Sequence, residues 1–142
     1  MKNKVVFLEK NTILYKLLKY SVFGEIMPEA VGIGGFITGK CTGKAVVIKS
    51  YEDLKRVKKG DIIVAYTTDP NYDIAFEDAC AVVVEKGNIF SHSVIASRDL
   101  KARKGIDVVV VVGVKDITKH IQDGMNVTVE VSQPTRPAKV IW

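Results

Sequence analysis

Four short apolar runs constrain this chain more than anything else in it. Val108 to Val112 is five valines in succession, and Ala45-Val46-Val47-Ile48, Ile62-Ile63-Val64-Ala65-Tyr66 and Ala81-Val82-Val83-Val84 are of the same kind. Side chains branched at Cβ are stiff at χ1 and fit extended backbone. A run that is apolar at every position, rather than every second one, has no face to give to water. Such strands are buried on both sides, in a sheet covered by helices. Between the runs lie helical stretches. One starts at Ser50-Tyr51-Glu52-Asp53, with Ser50 as N-cap and carboxylates in the first turn. The others are Ile74 to Ala79, Ser91 to about Arg103, and Asp116 to Gln122, closed by Asp123-Gly124. Val127 to Val131 alternates as an edge or antiparallel strand does, and Val140-Ile141-Trp142 can add a short final strand. The pattern predicts an α/β fold with a mixed sheet and short flanking helices.

Residues 1–28 read as an N-terminal helical extension and residues 29–142 as the domain proper. Thr12 to Met27 sets Ile13, Leu14, Leu17, Leu18, Val22 and Phe23 at helical spacing among lysines, and Pro28 ends it. Packing on its own domain is the favoured role for this helix; contact with a second copy or a partner is the alternative. Gly32, Gly34, Gly35, Gly39 and Gly43 then punctuate the chain. No Gly-Lys-Ser/Thr follows and no helix opens there, so they read as turns and bulges rather than a phosphate loop.

Composition excludes several classes. No window holds the ~18 apolar residues of a membrane helix, and the lysine-bearing N-terminus has too short an apolar run for a secretory signal. A cytoplasmic protein is expected, and its Met1 start favours a stand-alone subunit. Cys41 and Cys80 are the only cysteines and form no CxxC, so reduced thiols are expected, Cys80 filling core space. The net charge of +5 comes from runs such as Lys55-Arg56-Val57-Lys58-Lys59 and Lys101-Ala102-Arg103-Lys104. They lack interleaved aromatics and fall at helix ends, where cations are favoured. Nucleic acid is not an expected partner.

Of the two histidines, His92 stands out. A strand ending at Glu85, the Gly87-Asn88 turn and a helix from Ser91 put the first-turn N–H groups near its side chain. Those amides and the helix dipole favour an anion, and the same field disfavours imidazolium. The position suits a nucleophile that accepts and releases a phosphoryl group. Ser91 or Ser93 can hydrogen-bond the ring or the phosphate, and Arg98 is a cation suited to phosphoryl oxygens. Thr68, after the neighbouring strand, can offer a hydroxyl at the same sheet edge. Taken alone, a Ser-His pair at a helix start is more often an ordinary cap. A hydrolase lacks its Gly-x-Ser-x-Gly elbow here. No metal site is expected, since His120, a surface-helix residue, is far away and no carboxylate sits at ligand spacing.

Ordered blocks run along the chain: Thr42-Gly43-Lys44-Ala45-Val46-Val47, Val57-Lys58-Lys59-Gly60-Asp61-Ile62-Ile63-Val64, Thr67-Thr68-Asp69-Pro70-Asn71-Tyr72 and Ala79-Cys80-Ala81-Val82-Val83-Val84. Ser91-His92-Ser93-Val94-Ile95-Ala96-Ser97-Arg98-Asp99-Leu100, Val112-Gly113-Val114 and Asp123-Gly124-Met125-Asn126-Val127-Thr128-Val129 complete them. From Gly32 to Val131 the chain resembles the mobile phosphohistidine domain of phosphoenolpyruvate-utilising enzymes, such as phosphoenolpyruvate synthase, pyruvate phosphate dikinase and rifampin phosphotransferase. The resemblance implies a swivelling β/β/α domain whose histidine, here His92, carries phosphate between two distant sites. One site uses ATP; the other uses phosphoenolpyruvate and pyruvate, or a different acceptor. It implies partner domains or subunits that bind those ligands, with magnesium at the partner sites and no cofactor on this chain. The family's paired glycine is Gly87-Asn88 here, a position where asparagine tolerates positive φ. After Leu100 the usual Gly-Ile-Pro is delayed by Lys101 to Lys104, and Asp107 replaces the proline. The alternative to a phosphocarrier is a non-catalytic swivelling subunit with a regulatory or assembly role.

Overall fold

The apolar runs form the parallel heart of a ring of seven strands. The structure, a computed structural model, describes residues 27–142; the predicted helix of Thr12 to Met27 lies, but for Met27, outside them. The strands are β1 (Glu29–Gly34), β2 (Gly39–Ile48), β3 (Ile62–Ala65), β4 (Ala81–Val84), β5 (Val109–Val112), β6 (Asn126–Val131) and β7 (Pro137–Ile141). They follow one another around a closed barrel as β1-β5-β4-β3-β2-β6-β7. β2, β3, β4 and β5 are parallel, in register through Ala45, Ile62, Ala81 and Val109. β6 and β7 are antiparallel to their neighbours, as is β1, which pairs with both β5 and β7. The sheet is therefore mixed, and it closes on itself. β6 pairs on both sides, with β2 and β7, so it is antiparallel but not an edge.

Every residue of β3, β4 and β5 is buried. Val64, Val83 and Val111 face the barrel interior with Val129, Val140 and Ile117. Ile63, Val82 and Val110 face the covering helices, against Phe76, Val94 and Leu100. Two-sided burial is what the unbroken valine run demanded, and each such side chain contributes roughly 2 kcal/mol of transfer free energy. The helices are α1 (Asp73–Phe76), α2 (His92–Lys104) and α3 (Ile117–His120), with 3-10 turns at Tyr51–Arg56 and Pro70–Tyr72. Lys101 to Lys104 form the last turn of α2, which Gly105 ends in the left-handed conformation at φ 68°. Those added residues thus lengthen a helix, with basic side chains at its negative end.

The glycine-rich segment departs from the expectation of turns. Gly32 and Gly34 lie inside β1 and Gly43 inside β2. A Cβ on Gly43 would sit 2.1 Å from the Gly60 carbonyl oxygen, and one on Gly32 would sit 2.6 Å from that of Val112. These glycines let backbones approach where the barrel closes. Gly43→Ala presses a methyl group into backbone that cannot rotate away. It is expected to cost about 1–3 kcal/mol and to lower the melting temperature by roughly 5–10 °C, read by thermal denaturation.

Cys41 and Cys80 are free thiols, both half-buried against the interior core. The hydrogen bond that the Cys41 thiol donates to its neighbour Cys80, then burial, raises the Cys41 pKa. His120 is not a simple surface residue, since its ring stacks on Trp142 with centroids 5.9 Å apart.

Candidate functional site

Loops leaving the C-terminal ends of adjacent parallel strands converge, and such ends are where α/β proteins place ligands. Here the loop after β3 brings Thr68, and the loop after β4 leads into α2. Gly87 in that second loop has φ 133°, and a Cβ there would lie 2.7 Å from Ser91 Oγ. Asn88 is not among the residues with positive φ. It acts instead through hydrogen bonds: its N–H donates to Ser91 Oγ (2.8 Å) and its Oδ1 accepts from Phe90 N–H (2.8 Å). The turn thereby fixes Ser91 at the N-cap and His92 as the first residue of the helix.

The imidazole is held at both nitrogens. Nδ1 lies 2.9 Å from Thr68 Oγ1, and Nε2 lies 2.8 Å from Asp73 Oδ1. With an ionised carboxylate, which only accepts, Nε2 is the nitrogen that donates to Asp73, and in the neutral ring Nδ1 then accepts from the Thr68 hydroxyl. The His92 side chain is 22% exposed and that of Asp73 58%. Beneath the imidazole lies the ring of Phe76, 5.8 Å away, followed by Tyr72 at 6.5 Å and Tyr51 at 6.3 Å, edge to face. Tyr51 donates its hydroxyl to Asp69 (2.6 Å), which also accepts from Asn71 N–H (2.8 Å). The tyrosine hydroxyl, above all, holds the Asp69 carboxyl below its usual range. The bracing is therefore complete at neutral pH and is lost as pH falls through that lowered value. This pins the loop that carries Thr68.

The other residues singled out in the sequence are placed differently. Ser91 Oγ is engaged by Asn88. Ser93 is buried, and its hydroxyl has no hydrogen-bond partner among the described residues. Arg98 is exposed and sits six residues, ~9 Å of helix rise, beyond His92. Its guanidinium lies 4.4 Å over the Phe36 ring. The structure thus brings Thr68 to His92 and keeps Arg98 on the loop between β1 and β2. Asp73 was not anticipated. The available signal was its place on the loop that supplies Thr68, five residues further on. Asp73, Glu77, Asp99 and Arg103 also line a small cleft of about 40 Å³ between α1 and α2.

Thr68→Val keeps the shape and deletes the hydroxyl. Phosphorylation of His92 by a small phosphoryl donor is expected to slow about fivefold, the worth of one ordinary hydrogen bond, with an unchanged melting temperature. Rates come from intact mass.

Exposed apolar side chains also stand near the histidine or its partner Asp73 in the chain. Ile74 and Phe90 are 83% and 79% exposed, and Ile95, one turn along α2, is 56% exposed. Among the described residues, no group of three or more His, Cys, Asp or Glu could hold a metal ion, and no helix is long and apolar enough to cross a membrane.

Residues 57–133 match the family model described as "PEP-utilising enzyme, mobile domain". Among curated proteins, the chain is similar to a pyruvate kinase of Lactobacillus delbrueckii subsp. bulgaricus, 39% identical over 115 residues, covering 80% of this chain and 18% of that protein. It is 40% identical over 96 residues to a phosphoenolpyruvate synthase of Pyrococcus furiosus, covering 68% of this chain and 11% of that protein. The phosphoenolpyruvate synthase of Escherichia coli is 34% identical over 110 residues, 78% of this chain and 13% of that protein. The chain thus spans less than a fifth of the length of these relatives.

Proposed function

The chain belongs to the mobile-domain family of phosphoenolpyruvate-utilising enzymes, and from that premise we propose that it is a phosphocarrier whose His92 accepts a phosphoryl group at one partner site and delivers it at another. A ring nitrogen attacks phosphorus, the bond from phosphorus to the donor oxygen breaks, and its electron pair leaves with that oxygen. Delivery is the same displacement with the ring as leaving group. The observation that carries the proposal is the held imidazole: a helix-start histidine tied to Thr68 at 2.9 Å and backed by Phe76 at 5.8 Å. Positioning of this kind converts a chance encounter into a near-attack geometry. The N–H groups at the start of α2 supply partial positive charge where the phosphate would form, with Ser91 and Ser93 in that first turn. Arg98 would reach a phosphate only after leaving Phe36, so its contribution belongs to the docked state.

The nucleotide-binding and phosphoenolpyruvate- or pyruvate-binding sites would lie on partner domains or subunits, with magnesium serving there, and the setting would be cytoplasmic. Ile74, Phe90 and Ile95, exposed around the histidine, are suited to a partner that closes over the ring and excludes water during transfer. The test is incubation of the chain with phosphoenolpyruvate, magnesium and a phosphoenolpyruvate synthase lacking its own mobile domain. An acid-labile gain of one phosphate by intact mass is expected; a folded chain that stays unmodified, with this donor and with small phosphoryl donors, would refute the carrier.

A further inference from the structure

We propose that Asp73 is a latch on His92, holding the proton on Nε2 and shielding that nitrogen until its carboxylate swings away. The proposal deepens the phosphocarrier reading and rests on it. In the structure neither ring nitrogen offers a lone pair to an incoming phosphorus. Nδ1 faces the Thr68 hydroxyl, and Nε2 points its N–H at Asp73. The two restraints differ in how easily they release. Thr68 sits on a loop braced by the bond from Tyr51 to Asp69. The Asp73 side chain is more than half exposed, and among the described residues its carboxylate has one hydrogen-bond partner, His92. Nε2 is therefore the nitrogen that can be freed.

A destination for the carboxylate exists. Arg103, paired with Asp99 at 2.7 Å, lines the same cleft as Asp73, and a guanidinium has donors enough for two carboxylates. Once Asp73 turns toward it, Nε2 gives its proton to water and Nδ1 takes one up from water, so the ring proton is carried on Nδ1 instead. The Thr68 hydroxyl changes from donor to acceptor, which a hydroxyl does by rotating its hydrogen. The Nε2 lone pair then attacks phosphorus and the donor bond breaks, its electron pair leaving with the donor group. The proton remains on Nδ1, and the phosphoryl charge offsets the ring's positive charge. Return of Asp73 beside a phosphorylated Nε2 would set like charges together, which favours handing the phosphoryl group on.

The experiment treats the full chain with phosphoramidate at mildly alkaline pH. The reagent reacts as its ammonio form and loses ammonia with the P–N electron pair, so no partner enzyme is needed. Wild type, Asp73→Ala, Glu77→Ala and His92→Ala are compared by intact mass. The labelled nitrogen is identified by phosphorus NMR, and the tautomer of the unmodified ring by two-bond proton–nitrogen spectra. Wild type is expected to show the Nε2–H tautomer. Asp73→Ala should acquire a share of Nδ1–H and label at Nε2 about tenfold faster, as expected for loss of a hydrogen bond to a charged group. Glu77→Ala removes a negative charge from the same cleft, one paired with Lys104 and bonded neither to the ring nor to Arg103, and should behave as wild type, which separates the latch from simple repulsion of an anionic reagent. Equal rates and tautomers in wild type and Asp73→Ala, with His92 labelled in both, would overturn the latch and leave the carrier standing. Absence of any His92 label in folded protein would overturn both.

Discussion

His92→Ala is expected to abolish phosphorylation of the chain by any donor while leaving its fold in place. On the carrier proposal the imidazole is the nucleophile; among the described residues the other histidine, His120, is stacked on Trp142, and the Ser91 hydroxyl is engaged in the turn. Removing the nucleophile removes the covalent step itself, so the loss is total rather than a fraction. The structural cost is small because alanine is the best helix former and the side chain it replaces sits at the rim of the core. A change within about 1 kcal/mol is expected, so the melting temperature is the control. The same variant separates carrier from scaffold. A regulatory or assembly subunit would keep its partner's activity after the substitution, whereas a carrier would stop all transfer through it.

Phe76→Ala should have the largest effect on stability. The ring is fully buried, one of the bulkiest such side chains, and it packs among Val82, Val94 and Val110 beneath the helices. Truncation removes its transfer free energy and leaves a cavity, costing about 3–5 kcal/mol. For a domain of this size that is a fall of roughly 10–20 °C in melting temperature. Phe76 is also the platform under the imidazole, so labelling of His92 should slow even at temperatures where the variant remains folded. Phe90→Ala serves as the internal comparison. That ring lies two residues from His92 but is 79% exposed, and its loss should leave stability within about 0.5 kcal/mol. Equal melting temperatures for the two variants would contradict the core described above.

The parallel strands and the placement of His92 were legible because each rests on local chemistry. Unbroken valine runs admit few fates, and a strand, a glycine turn and a serine before a helix announce where a side chain will stand. β1 and the first half of β2 were not legible, since Gly32, Gly34 and Gly43 replace the side chains whose alternation marks a strand. Their purpose is close approach between segments distant in sequence, and no window of neighbours shows that. Closure of the sheet was hidden for the same reason. Thr68 could be inferred because loops after neighbouring parallel strands meet, yet Asp73, on that very loop, fell just before the predicted helix of Ile74 to Ala79 and drew no reading of its own. What brings it to Nε2 is the 3-10 turn at Pro70–Tyr72, which folds the chain back toward the ring. Arg98 shows the converse: its spacing on α2 is local, but Phe36, which occupies it, comes from the other side of the barrel's sequence.

The proposed carrier would move between two hosts and spend time touching neither. An open sheet in that situation would present two rows of unpaired N–H and C=O groups, each a template for another chain. Because β1 bonds to both β5 and β7, this ring has no outermost strand to offer. Among the described residues the two most exposed large apolar side chains are Ile74, next to His92's partner Asp73, and Phe90, two residues from His92, so on the carrier proposal the stickiest side chains lie where the cargo would be exchanged.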